Sequence, residues 1–389
     1  MKEQESAPDL SLFGGPLHRL GCRLGLVREG TNTLWVGVAL GLLAWGVLAA
    51  LTLLQGAGPK VFSLGVIAVH VRLLVAIPLF FLCEVWVLPR MTEFASDIVR
   101  SGLVPESELP GLASVIRRIG SLKDSWLAEV LFVLAAFALP LIGTIVELPG
   151  RTANFGALLA ENGGRPGPIL FWYLGFCLPL FRFLLLRWVW RLALWCYFLW
   201  RVAKLKLRLL PIHPDGVAGL GYLEVVQEHF TPLACAASAV YAASFAEDIA
   251  SGSMAFEALY RLIPIVLLLV AALFIGPLFL FAPKLWLCRI TGLSEYMRMA
   301  SSYVNSFDRK WIRGENTTNE SLLGTPDMQS LADLTNSVNV VHNMRIIPAD
   351  RRLIVQLAAS VMLPLLPLVF FKYPVSDVAA KLFQTLTGL

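Results

Sequence analysis

Residues 169–186 read ILFWYLGFCLPLFRFLLL, and the chain continues over 187–209 as RWVWRLALWCYFLWRVAKLKLRL before Pro211. The first part carries one charge, Arg182, and at 1.5 Å rise per residue it covers about 27 Å, close to the hydrocarbon core of a bilayer. Backbone polar groups in hydrocarbon must be satisfied within the chain, so such a stretch crosses as an α-helix. Beyond Leu186 the cations return. At 100° per residue Arg187, Arg191, Arg201 and Arg208 fall on one side, accompanied by Trp188, Trp190, Trp195 and Trp200. The stretch predicts one helix from Ile169 to Leu209, membrane-spanning to Leu186, with its tryptophans anchored at headgroup level.

The rest of the chain has the same character. Hydrophobic residues make up 57% and charged residues 15% of its 389 positions, against about 45–50% and about 25% in soluble domains. A soluble fold of this length could not enclose so much apolar surface. Six further apolar runs, at 34–54, 64–88, 126–147, 230–246, 262–282 and 353–371, make the expected fold an all-α polytopic membrane helical bundle with seven transmembrane helices. Gly37 and Gly41 form a GxxxG pair in the first run, read as internal packing. Ala234, Ser238 and Ala242 make a small-residue row in the fifth span, which calls for enclosure by other helices.

Between the spans lie a polar linker at 90–124, with a helical face of Leu112, Val115, Ile116 and Ile119, and a second linker at 187–229. Residues 283–352 form the largest polar segment. It contains a helix capped by Thr325, opened by Pro326 and striped by Met328, Leu331, Leu334, Val338 and Val341. The tail 1–33 has no signal-peptide pattern, and Leu17, Leu20, Leu24 and Val27 suit either a short interfacial helix or a flexible basic tail. The domain reading is therefore a tail at 1–33, a bundle at 34–282, a helical segment at 283–352, a last span at 353–371 and a C-tail at 372–389.

Of 32 lysines and arginines, 24 lie in the N-terminal tail and in 90–124, 187–229 and 283–352, while 6 lie in the alternate loops and the C-tail. The positive-inside rule then gives a cytoplasmic N-terminus and an outer C-terminus. The net charge of +5 points to anionic lipid headgroups, and no nucleic-acid motif is present. The bilayer, a cytosolic protein partner and a second copy of the chain are the partners left open. Six cysteines without a CxxC pair call for neither disulfides nor zinc, and no cofactor is implied.

Candidate functional residues fall in two groups. Within the spans stand His70, Arg72, Glu84, Glu129 and Arg182, and charges at that depth demand partners. Glu84, Glu129, Arg182 and Arg187, near the same end of their spans, are expected either to form one ion-pair cluster or to snorkel to the headgroups, and Arg72 to find an acid such as Glu147, Glu247 or Asp248. The second group lies at PIHPDGVAGLGYL, 211–223, and offers His213, Asp215, Gly219 and Gly221, with His229 shortly after. Pro-Asp-Gly is by itself a turn signal. The glycines, with Lys204, Lys206 and Arg208 nearby, could cradle a phosphate or lipid headgroup, although the P-loop ending is missing. His213 and Asp215 with Glu224, Glu228 or His229 are admissible metal ligands whose spacing matches no strong signature. If the chain folds back about this turn, Arg208 comes opposite Glu224 and Lys204 opposite Glu228. That ladder frees the tip, His213 and Asp215, for an anion or a cytosolic partner.

PIHPDGVAGLGYL, LLGTPDMQSLADL at 322–334 and MRIIP at 344–348 together resemble an uncharacterised group of bacterial multi-pass inner-membrane proteins with an HPDxxGGLGFL-type stretch. The resemblance covers the C-terminal half, and departs at Ala218, where glycine is expected, and at Tyr222, where phenylalanine is expected. It implies a bacterial inner-membrane home and no activity. Three function classes follow from the residues. A channel or transporter of a small solute or ion leads on the intramembrane charges, ahead of a membrane scaffold or sensor and an enzyme built on the His213 and Asp215 region.

Overall fold

The computed structural model describes residues 32–56, 62–145, 167–313 and 325–372, and for 139–145 the backbone alone. The expected interfacial helix at 17–27 and the C-tail from 373 lie outside the described residues. In chain order the helices are α1 (Thr33–Leu54), α2 (Leu64–Arg100), α3 (Leu109–Lys123), α4 (Trp126–Ile145), α5 (Pro168–Lys204), α6 (Tyr222–Glu228), α7 (Thr231–Ala250), α8 (Leu259–Phe274), α9 (Ala282–Phe307), α10 (Pro326–His342) and α11 (Arg351–Leu365). Six stretches are long and apolar enough to cross a membrane: α1, α2, α5, the α6–α7 pair, α8 with the turn before it, and α11 with its continuation to Phe371. Residues Trp126–Ala138 of α4 add a shorter apolar stretch. Among the described residues the chain is an all-α polytopic helical bundle.

The small residues do what their spacing called for. A side chain at Gly37 would run into the ring of Phe81, and one at Gly41 into the Leu73 carbonyl, so α1 lies directly on α2. The α7 helix is enclosed, with Ala234, Ala236, Ser238 and Ala242 buried and the Ser238 hydroxyl donating to the Val361 carbonyl of α11 at 2.5 Å. Leu112, Val115, Ile116 and Ile119 of α3 are all buried. The stripe of α10 is covered less completely: Val341 is buried while Met328 is 50% exposed.

Two expectations for the fourth span are corrected. The helix stops at Lys204 and the next residue is extended, which leaves Arg208 off the helix, its amide donating to the Leu103 carbonyl at 2.8 Å. The tryptophans do not form a headgroup belt. Trp195 is wholly buried against Phe94 and Phe198, and Trp188 is buried with its indole donating to the Phe80 carbonyl at 3.1 Å. The continuation of α2 to Arg100 and the packing of α3 supply a second apolar layer there, which the charges on α5 had concealed. Of the four, Trp200 is the exposed one.

The helices α2 and α5 share a device. Each contains a widened, π-helical turn, at Arg72–Ala76 and at Tyr173–Cys177, followed two residues on by Pro78 or Pro179. Proline lacks the N–H that would complete the ladder and its ring clashes with the carbonyl four residues back, and a turn that takes in an extra residue accommodates both. Such turns recur at functional sites.

Candidate functional site

The loop from Pro211 to Gly221 folds around one carboxylate. Asp215 accepts from the amides of Val217, Gly219 and Gly221 at 2.9, 3.0 and 2.8 Å, and lies 2.8 Å from Nδ1 of His213. Gly216, Ala218 and Gly219 take φ of 68°, 59° and 100°, the left-handed region where glycine carries no Cβ penalty. A Cβ at Gly221 would come within 2.8 Å of Asp215. The glycine spacing thus builds an amide nest, and the anion in it is the chain's own. The amides that would have cradled a phosphate, or left the tip free for an anion, are turned onto Asp215.

The MRIIP segment closes the loop from the far side. Arg345 donates from its amide to the Gly216 carbonyl at 2.8 Å and from its guanidinium to the Asp215 carbonyl at 3.0 Å, and pairs with Glu224 at 2.7 Å. Glu228 pairs with Arg352 at 3.5 Å. The ladder expected within 204–228 is therefore replaced: both glutamates take arginines from a segment over a hundred residues away, and the Lys204 ammonium sits 3.5 Å over the Trp200 ring. His229 directs Nδ1 at the Val225 carbonyl, 2.6 Å away in its own helix, with Trp86 edge-on. Among the described residues no group of three His, Cys, Asp or Glu side chains could hold a metal ion.

Inside the bundle the charges divide into two sets. Glu84 of α2 and Arg191 of α5 pair at 2.8 Å with both side chains 6% exposed, and the Arg191 guanidinium lies 5.4 Å from the Trp188 ring. Glu129 is buried too, and Arg187 is within electrostatic reach of both carboxylates. Two acids and two guanidiniums make this cluster neutral. It is the expected cluster with one member changed, Arg191 standing where Arg182 was placed.

Arg182 belongs to the second set. It sits beside Arg72 and Tyr173, close enough to Arg72 to repel it, and donates to the Ala136 carbonyl at 3.5 Å. Arg72 donates to the Tyr173 hydroxyl at 2.9 Å. Those two are the first residues of the two widened turns, so the device in each helix meets its counterpart. The acid expected for Arg72 is Glu247, which it feels electrostatically, but the Glu247 carboxylate also accepts the Ala68 amide at 2.8 Å. His70 is held apart from this set, accepting from the Trp45 indole at 2.9 Å and stacked on Phe62 at 5.6 Å.

Arg72 and Arg182 stand in the wall of a cavity of about 400 Å³ between α2, α5, α7 and α8. Phe80, Phe181, Trp188, Leu192, Val270 and Phe274 make most of its lining apolar, while Ser238, Tyr241 and Ser244 add hydroxyls. Among the described residues no carboxylate lines it. Its mouth lies between α5 and α8, where Leu185, Val189, Leu269 and Leu273 are exposed. A pocket of this size and lining suits a small or elongated apolar molecule oriented by a few polar groups. Comparisons with known proteins supply no relative to read it by: no family model matches the chain, nor does any curated protein or solved structure.

Proposed function

We propose that this chain is a carrier which takes a small solute into the cavity between α2, α5, α7 and α8, set in a bacterial inner membrane with its N-terminus cytoplasmic. One observation carries the reading: two arginines on helices long and apolar enough to cross a membrane stand in the wall of a void that no carboxylate lines among the described residues. Charges at such depth are costly, and they are kept where they line a pathway or a binding site. The apolar wall disfavours an ion channel, whose pore needs polar groups along its length. The enzyme reading loses its residues to the turn, because Asp215, Glu224 and Glu228 are committed to amides and arginines.

The test compares the wild type with Ala237→Trp, which places an indole in the cavity lining. Both are purified, small molecules are released and identified by mass spectrometry, and the molecule found is followed across proteoliposomes. A stoichiometric molecule present in the wild type, absent from Ala237→Trp and carried by the wild type supports the proposal. Identical contents in both proteins, or no passage, defeats it. Orientation is tested separately by reporters active outside the cytoplasm, fused after Leu389 and after Gly314, with activity expected from the first alone.

A further inference from the structure

We infer that the solute is an acidic lipid drawn sideways from the bilayer, its head held by Arg72 and Arg182 and one acyl chain laid along α5. The inference rests on the carrier reading and names its substrate class. Three features of the cavity point to it. The first is charge: among the described residues the charged side chains in the lining are both guanidiniums, they repel each other, and no carboxylate lines the wall. Guanidinium is the side chain best matched to phosphate, because its planar fork donates to two oxygens at once. The second is shape. Along α5 the lining runs from Leu178 to Leu192, about 21 Å of helix rise, longer than the ~15 Å that one leaflet's chains occupy in a ~30 Å hydrocarbon core.

The third feature is the way in. Leu185, Val189, Leu269 and Leu273 are exposed on two helices long and apolar enough to cross a membrane, and an apolar mouth on such helices admits a bilayer molecule without its crossing water. Depth then links the ligand to transfer. Arg72 lies eight residues into α2 from Leu64 and Arg182 fourteen into α5 from Pro168, about 12 and 21 Å along their helices. A head held there has left the headgroup layer, which is where the head of a lipid passing through the bundle must be. A zwitterionic head gains less, because its own cation meets the two arginines.

The full-length protein is reconstituted in vesicles of equal phosphatidylglycerol and phosphatidylcholine, extracted in mild detergent and weighed by native mass spectrometry. The wild type is expected to keep one phosphatidylglycerol. The double variant Arg72→Gln/Arg182→Gln is expected to lose that preference by about tenfold or more, the loss of a hydrogen bond to a charged group. Arg309→Gln/Arg313→Gln, outside the spans, is expected to change nothing. If the glutamine pair does not fold, Arg182→Gln alone carries the test, since the hydrogen bond it makes among the described residues is a single long one to a carbonyl. Wild type that keeps phosphatidylcholine as readily, or a variant that keeps the preference, overturns the inference and leaves the carrier reading standing. Lipid contents identical in wild type and Ala237→Trp would instead bring down the carrier reading beneath it.

Discussion

The loop around Asp215 and the cavity around Arg72 are both built from charges in unusual places, and they are opposites. At the loop, opposite charges and backbone dipoles converge: one carboxylate takes three amides, and Arg345 takes a carbonyl and a glutamate. At the cavity, two like charges share a wall in which, among the described residues, no carboxylate stands, and Glu247 acts on Arg72 from outside the lining. A polar cluster that satisfies itself has no chemistry left to offer, and its value is geometric. One left with surplus charge is incomplete until something else arrives.

Substitutions should separate the two kinds of site, and the largest effect belongs to the closed cluster deepest in the bundle. Glu84→Ala strands the buried Arg191, and removal of one partner of a buried pair costs about 3–5 kcal/mol. We expect loss of folded protein in detergent melts, with the hydrophobic double change Glu84→Leu/Arg191→Met recovering much of it. An equally stable Glu84→Ala would mean that Arg191 reaches water. Asp215→Ala comes next. It leaves three amides without their acceptor, and allowing for partial rehydration the cost is about 2–3 kcal/mol. Lipid retention should be unchanged, which makes it the mirror image of Arg72→Gln, where melting moves little and retention falls. A common effect of both variants on retention would erase the distinction between the sites.

A smaller effect of opposite sign is expected at Ala218. Its φ of 59° costs an alanine about 1 kcal/mol relative to glycine, so Ala218→Gly should raise the melting temperature slightly. A fall would show that the Ala218 methyl, which is buried, contributes more by packing than its backbone costs. The smallest effect concerns Asp327, which accepts from Lys310 and from the Trp311 indole, both at 2.9 Å. These donors hold its carboxyl below the usual carboxylate range. Because the folded value is depressed, the stabilisation is present above the ordinary aspartate range and is lost as pH falls through the lower, folded value. The Trp311 indole N–H resonance should report that titration, and Asp327→Asn should abolish it.

Much of the fold could be read in advance because its determinants are local. Of the seven spans expected, run length located six helices long and apolar enough to cross a membrane, while the run at 126–147 gives among the described residues a shorter apolar stretch to Ala138. Gly37 and Gly41 announced a close approach, and the row of Ala234, Ser238 and Ala242 marked the most enclosed of those six. The site was legible as a set of residues and not as a set of contacts. Glu84 and Arg191 are 107 residues apart, and Arg345 lies 130 residues from the carbonyl it clasps. Helical periodicity cannot supply either pairing. Arg182 was grouped with Glu84 and Glu129 because all stand near the same end of their spans, and depth along a helix does not say which neighbour a side chain faces; Arg191 is the one that meets Glu84. The fit of MRIIP onto HPDG had one available signal, the presence of both stretches in the same resemblance, but nothing in that signal said that they touch.

The widened turns of α2 and α5 also act as angular spacers. A π-helical turn takes in one residue more than an α-helical one, and a single residue corresponds to 100° about the axis. Everything downstream of Ala76 and of Cys177 is therefore rotated by that amount relative to an uninterrupted helix, in both partners. Glu84 and Arg191 lie downstream of their respective turns, so their meeting depends on the two rotations being present together. Deleting Leu74 would therefore let α2 close its ladder with Glu84 still facing Arg191, whereas deleting Leu79, downstream of the turn, would swing Glu84 about 100° away.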